Sequence, residues 1–185
     1  MRDSMSAPSP WVTRFAPLVP GGEVLDLACG GGRHARHFAA LGHPVLALDR
    51  DARALALAAG AGIATVEADL ELAGAGWPVD TKRFAGIVVT HYLHRPLLAQ
   101  LAASLRPDGV LIYETFSIGN EAFGKPSNPD FLLGRGELLG FAHQAGLRVL
   151  AFEDGRVDGL KPAMLQRLCA CGPDFPANNA MLGPR

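Results

Sequence analysis

The chain has 185 residues, 17 Lys+Arg against 18 Asp+Glu, a net charge of −1 and 49 % hydrophobic content. Such a length suits one domain, expected over 9–175 with loose tails at 1–8 and 176–185, and the composition excludes a disordered chain. The even charge argues against a nucleic-acid partner, the start MRDSMSAPSP lacks the apolar run of a signal peptide, and the most apolar stretch, Ala54 to Ala64, falls short of the about 20 residues that cross a membrane.

In chain order, Ser9-Pro10-Trp11 reads as a helix start, with Ser9 as N-cap and Pro10 at the first helical position. Pro20-Gly21-Gly22 breaks the chain. Short apolar runs then alternate with helical stretches. Val24–Leu27 is a strand candidate, Cys29–Gly32 a tight turn, and Arg33 to Leu41 a helix that Gly42 ends. Val45–Leu48 is a strand, Asp51 to Ala59 a helix stopped by Gly60, and Ile63–Val66 a third strand. Phe84–Thr90, rich in β-branched residues, reads as a strand buried on both faces. A helix over Pro96 to Leu105 should end at the turn Pro107-Asp108-Gly109, before a strand at Val110–Glu114. Ser117 to Gly134 is irregular. A helix over Gly136 to Ala145 precedes strands near Leu147–Phe152 and Ala163–Cys171, separated by the turn-rich EDGRVDGLKP.

Strands alternating with helices imply an α/β fold with helices on both faces of a parallel sheet. No helix separates the last two strands, so they form a hairpin and one runs antiparallel. Cys169 and Cys171 sit two apart on the last of them and face one way, which suits packing. With Cys29 they make three cysteines, too few for an even disulfide framework, which points to a reducing, cytoplasmic setting. No metal is expected, since a site needs further Cys or His at ligand spacing.

The segment Val24-Leu25-Asp26-Leu27-Ala28-Cys29-Gly30-Gly31-Gly32-Arg33-His34 ends a strand, turns through glycines and opens a helix. Glycines admit a ligand close to the backbone, and the new helix directs free N–H groups at it. Asp49 closes the second strand about 20 residues on, where an acid meets ribose hydroxyls. Asp69 closes the third, within reach of an adenine amino group. Each acid alone reads as a helix cap or solvated turn residue; together they line the crevice at the carboxyl ends of parallel strands.

VLDLACGGGRHARHFA, VLALDRD and VEADL resemble motifs I, II and III of class I S-adenosylmethionine-dependent methyltransferases, over roughly Trp11 to Cys171. The resemblance implies a doubly wound seven-stranded sheet in the order 3-2-1-4-5-7-6 with strand 7 antiparallel, and S-adenosyl-L-methionine as cofactor. Ala28 stands where the family usually has its first glycine. Asp26 is then expected near the methionine amino group, with Cys29 and Gly30 offering backbone groups to the methionine portion and Gly32 allowing close approach. Asp49 is expected on the ribose, Arg50 beside the adenine, and Asp69 and Leu70 at its edge. Arg33 or Arg14 would hold the methionine carboxylate; His34 shares the helix start with Arg33. The compact size and the stretch ETFSIGNEAFG…PDFLLGRGEL are similar to tellurite-resistance-type methyltransferases.

Methyl transfer relies on alignment and exclusion of water, with a general base only for some acceptors. His91, Tyr92 and His94, after the fourth strand, and Glu114, ending the fifth, are the candidates on the reacting side. Either histidine would serve as base and Tyr92 would shape the pocket or touch the sulfonium, against the plainer readings of a helix cap and a solvated side chain. Ser117 to Gly134 is expected to cover the acceptor as a lid, with Phe116, Phe123 and Phe131 beneath it and Asn120, Glu121 and Arg135 as polar contacts. The acceptor is expected to be a small molecule and the chain a monomer or homodimer. Two rival readings are an NAD(P)-dependent oxidoreductase, since GGGRHA fits G-x-G-x-x-A, and a non-catalytic cofactor-binding partner subunit.

Overall fold

A computed structural model describes residues 7–74, 76–158 and 161–179. The helices are α1 (Pro10–Phe15), α2 (Arg33–Ala40), α3 (Ala52–Ala58), α4 (Leu98–Ser104) and α5 (Glu137–Gln144). The strands are β1 (Val24–Leu27), β2 (Val45–Asp49), β3 (Ile63–Glu67), β4 (Phe84–Thr90), β5 (Leu105–Phe116), β6 (Arg148–Val157) and β7 (Ala163–Cys171). They form one seven-stranded sheet in the order β3-β2-β1-β4-β5-β7-β6, parallel except for β7, which runs antiparallel to both β5 and β6. The expected fold is therefore present. β1 pairs with both β2 and β4, so the strand order reverses there and a crevice opens at their carboxyl ends, as open α/β sheets require.

Strand side chains alternate between two cores. Val24, Val45, Ala47, Val88, Val110, Ile112, Cys169 and Cys171 pack with residues of α1, α2 and α3. Leu25, Leu27, Leu46, Leu48, Ile87, Val89, Leu111 and Tyr113 pack with Leu101 of α4 and Leu138 and Phe141 of α5. Asp26 shares the α2 side with Val24, and this alternation is what aims its carboxylate at a helix.

Ser9 caps α1 as expected, accepting from the N–H of Trp11, and Asp51 caps α3, accepting from those of Arg53 and Ala54. α2 and α5 each follow a glycine with positive φ, Gly32 and Gly136, which has no side chain to cap with. Both borrow a cap from a strand. Asp26 Oδ2 of β1 accepts from Ala35 N at 2.8 Å, and Gln166 Oε1 of β7 accepts from Leu138 N at 3.2 Å. These bonds lock the crossover helices to the sheet with the free N–H groups that a helix start leaves.

Two turn assignments need correction. Pro107-Asp108-Gly109 lies within β5, which starts at Leu105 and carries a register shift opposite Phe84 and Gly86. Arg106 clamps Asp108 there through two hydrogen bonds, and Asp174 N and Gly172 N donate to Pro107 O and Gly109 O. The turn chemistry makes a bulge because the carboxyl-terminal segment satisfies its carbonyls. Glu153–Val157, expected as turn, continue β6 by pairing with Ala163–Arg167. Of the expected tails, residues 1–6 and 180–185 lie outside the described residues, and Ala177–Asn179 form a 3-10 turn.

Candidate active site

At the carboxyl ends of β1, β2 and β3 lies a crevice of about 160 Å³, lined by Ala28, Leu48, Asp49, Arg50, Ala68, Asp69, Leu70, Glu71 and Tyr92. Asp49 Oδ2 accepts from Gly30 N at 2.7 Å and Oδ1 from Asp51 N at 2.9 Å. The acid of the second strand thus fixes the glycine turn of the first. Asp69 Oδ1 accepts from Glu71 N, an Asx turn that aims the loop after β3 across the crevice. Arg50 reaches Glu71 at 4.0 Å. Tyr92, expected on the reacting side, instead lines this crevice, where burial and the carboxylates of Glu71 and Asp69 push its phenol up and it hydrogen-bonds Glu71. It therefore remains a protonated donor. Tyr113, wholly inside, holds that loop by donating to Tyr92 O at 2.8 Å.

The glycines of the turn have different duties. Gly30 has φ +51, and a Cβ built on it meets nothing within 4 Å, so its backbone borders open space. Gly32 has φ +76, and a Cβ there would lie 2.5 Å from Ala58 Cβ and 2.8 Å from Ala58 Cα. The close approach at Gly32, expected for a ligand, is made by α3. Ala28 adopts φ +53 in the same turn, a left-handed conformation that costs an L side chain roughly 1–2 kcal/mol. Cys29 is buried among apolar side chains, and burial pushes its thiol up, so it stays an uncharged filler. Arg36 closes the turn from α2, donating to Gly31 O at 2.6 Å and to Leu57 O at 3.1 Å.

Asp26 is 1 % exposed, and burial pushes its carboxyl up to about 7 against the opposing pull of the Ala35 N–H. His34 is equally buried. Its Nε2 accepts from Ser9 N at 3.1 Å, which leaves the ring hydrogen on Nδ1, 3.4 Å from Thr90 Oγ1. Burial, then Arg33, holds the ring to about 3, so it is a neutral strut between the start of α1 and the end of β4.

Beyond Thr90 a larger cavity of about 1120 Å³ opens, bordered by Pro8–Pro10, Arg33, His91, Glu114, Phe116 and the 120–125 segment. His91 has φ +54, its N–H donates to Glu114 O, and its ring stacks on Phe116 with centroids 4.8 Å apart. A non-glycine residue held in this conformation at the end of a central strand is the kind of local strain that functional sites carry. Glu114 is 3 % exposed, and its Oε2 accepts from Arg167 Nε at 2.6 Å. Arg167 also donates to Glu153, and Arg14 reaches Glu153 at 3.9 Å with its guanidinium 4.8 Å from the Phe15 ring centroid. Arg14 is thereby committed away from the cavity, which Arg33 lines. His94 lines neither space; its carbonyl accepts from Leu97 N at the turn before α4. The sequence reading missed Arg167, whose one signal is an arginine inside the apolar run of the last strand.

The 117–134 segment departs from the expected lid. Ser117 and Leu133 form a bridge, and Asn120 donates to Pro126 O and accepts from Met164 N. Arg95 fastens the far half through Asp130 O and Leu132 O while pairing with Glu137. The apolar underside is Leu132 and Leu133; Phe123 and Phe131 are exposed, Phe123 lying under Arg156 at 5.3 Å. Asn120 reaches the cavity but is spent on backbone, Glu121 accepts from Gly119 N, and Arg135 is exposed outside the lining. Among the described residues no helix is long and apolar enough to cross a membrane.

The chain can be set beside known proteins. No curated protein sequence matches it. Its fold is similar to that of TehB from Haemophilus influenzae (TM-score 0.75, 17 % identity, covering 92 % of this chain), of which it spans only 64 %. It is also similar to a S-adenosylmethionine-dependent methyltransferase from Mesorhizobium loti (TM-score 0.67, 18 % identity, 87 % of this chain and 96 % of that one). A third is the 1,6-didemethyltoxoflavin-N1-methyltransferase of Burkholderia thailandensis, solved with 1,6-didemethyltoxoflavin and S-adenosylhomocysteine bound (TM-score 0.63, 24 % identity, 89 % and 76 %). The sequence family described as Methyltransferase domain matches residues 2–150, and the chain belongs to that family.

Proposed function

We propose that the chain is a S-adenosyl-L-methionine-dependent methyltransferase acting on a small molecule, within one domain over 9–175. The observation that carries the reading is the glycine turn itself: Gly30, whose backbone borders open space, donates to Asp49, and Asp49 and Asp69 stand on one crevice at the ends of adjacent strands. Those residues fit the cofactor. Asp49 would take the ribose hydroxyls, Asp69, Leu70 and Tyr92 the adenine, Arg50 its outer edge, and Arg33 the methionine carboxylate. Asp26 acts behind the turn, through Ala35 N and the start of α2. Bound S-adenosylmethionine supplies a methyl on a sulfonium: the acceptor's lone pair bonds the methyl carbon, and the electrons of the broken C–S bond stay on sulfur.

His91 and Glu114 border the larger cavity, Tyr92 the crevice, and the three follow one another around the ends of β4 and β5. The acceptor would therefore enter from the His91 side and meet the methyl near Thr90. His91 is the group to accept an acceptor proton, since its imidazole lines the cavity beside the end of β4. Glu114 is anchored by Arg167 and orients the acceptor. His94, outside both spaces, has no part. The nicotinamide alternative accounts for neither the antiparallel β7 nor the carboxylate of Asp69 in the crevice.

The test is calorimetry with S-adenosylhomocysteine. The wild-type chain should bind it and not NAD. Asp49→Ala, losing an acceptor worth about 1.5–3 kcal/mol, should bind at least tenfold more weakly. Equal affinity in the variant overturns the assignment.

A further inference from the structure

The larger cavity carries more chemistry than methyl transfer needs, and what it carries is uneven. Two of its charged groups are neutralised in place. Glu114 is paired with Arg167, and Asp158 is held by Arg156 through Nε at 2.8 Å. Three cations on the lining, Arg33, Lys125 and Lys161, make no ion pair or hydrogen bond with any described residue. On the reading above, Arg33 is taken by the cofactor's carboxylate. Lys125 and Lys161 then leave positive charge at the mouth, next to a site that itself receives a sulfonium. The same lining carries the stacked rings of His91 and Phe116, together with the apolar side chains of Phe123 and Leu165.

We propose that the acceptor is an organic molecule with a flat, apolar body and an anionic group, the body lying along His91, Phe116 and Phe123 and the anion held by Lys125 and Lys161. This rests on the methyltransferase reading and deepens it. Size supports the organic body: about 1120 Å³ exceeds what a bare oxyanion fills, since drug-sized ligands occupy about 300–1,000 Å³. Chemistry supports the anion, because two cations on the lining of one cavity gain when a charge of opposite sign arrives there. An anion held by the lysines needs no share of Arg167, so the buried Glu114–Arg167 pair stays intact, and Glu114 Oε1, which makes no hydrogen bond to a described residue, is left for an N–H or O–H of the acceptor. Backbone ties through Asn120 keep the segment bearing Lys125 near β7.

The test compares three probes on the full chain in the presence of S-adenosylhomocysteine, and again without it: 2-naphthoate, its neutral isostere 2-naphthamide, and acetate. 2-Naphthoate should bind about tenfold or more tightly than either of the others, as a charge-assisted contact added to apolar burial requires. In the double variant Lys125→Ala/Lys161→Ala, whose exposed side chains can be removed with the melting temperature intact, the preference over 2-naphthamide should collapse. Equal binding of naphthoate and naphthamide overturns the anion site. Acetate binding as tightly as naphthoate overturns the apolar body. A preference that survives the double variant overturns the role of the two lysines. The cofactor reading is judged separately by the S-adenosylhomocysteine titration, so a chain that binds naphthoate selectively but not that nucleoside breaks the cofactor reading and leaves the anion site standing.

Discussion

The crevice and the larger cavity sit on two sides of one strand end, yet they are built in different ways. The crevice is made of short-range pieces: each carboxylate closes a strand and bonds the backbone one or two residues on, or the turn beside it. The cavity is made of distant pieces, joining the chain before α1, the ends of β4 and β5, a loop and the β6–β7 hairpin. Its buried Glu114–Arg167 ion pair links residues 53 apart in sequence. The difference separates a part fixed by local chemistry, which the proposed function gives to the nucleoside, from a part assembled at long range, which it gives to the acceptor.

The sharpest way to break this comparison is through two glycines. Gly32→Ala must push Ala58 aside and keep a left-handed φ, so roughly 2–4 kcal/mol of stability should be lost. At about 2–4 °C per kcal/mol, thermal melting should fall by roughly 5–15 °C. Gly30→Ala meets open space and should cost only about 1 kcal/mol, yet weaken S-adenosylhomocysteine severely if, as proposed, the cofactor runs past Gly30. Equal melting losses, or intact affinity in Gly30→Ala, would show that the two glycines share one duty.

A smaller effect follows from two buried groups of opposite sign beside the crevice. The folded Asp26 carboxyl ionises near 7 but near 4 when unfolded, so its stabilisation is full below about pH 4 and is lost as pH rises towards 7. His34 is held to about 3 against 6.5 unfolded, so its stabilisation is present above about 6.5 and is lost as pH falls. Between pH 4 and 6.5 the two slopes oppose each other in the wild-type chain. Asp26→Asn keeps an oxygen for Ala35 N but removes the charge. Its melting temperature should exceed wild type by a few degrees at pH 8 and fall more steeply with acid, reporting His34 alone. A wild-type and variant difference that does not change with pH would mean that Asp26 is not a buried titrating group.

The same contrast explains what was legible in the sequence. The hairpin and the glycine turn follow from periodicity and local chemistry, the strand order from the resemblance to a known family, and all three are present as read. Where one residue had two possible surroundings, sequence order was silent. Tyr92 and His91 are neighbours but line different spaces, because the strand end at His91 twists through a positive φ. Gly32 looked like a ligand contact because the helix packing against it lies 26 residues on. Phe123 and Phe131 look like core residues by type, but Leu132 and Leu133 fill that place and leave them outside. Pro107-Asp108-Gly109 has every mark of a turn, and only the carboxyl-terminal segment satisfying its carbonyls makes it part of a strand.

The central claim, one crevice for the nucleoside and one cavity for the acceptor meeting at His91 and Tyr92, is tested most directly by a crystal structure with S-adenosylhomocysteine bound. The adenosine should lie between Asp49, Asp69 and Tyr92, with the homocysteine running past Gly30 towards Arg33 and its sulfur facing the His91 side. Adenosine found in the larger cavity, or homocysteine turned away from Arg33, would contradict it.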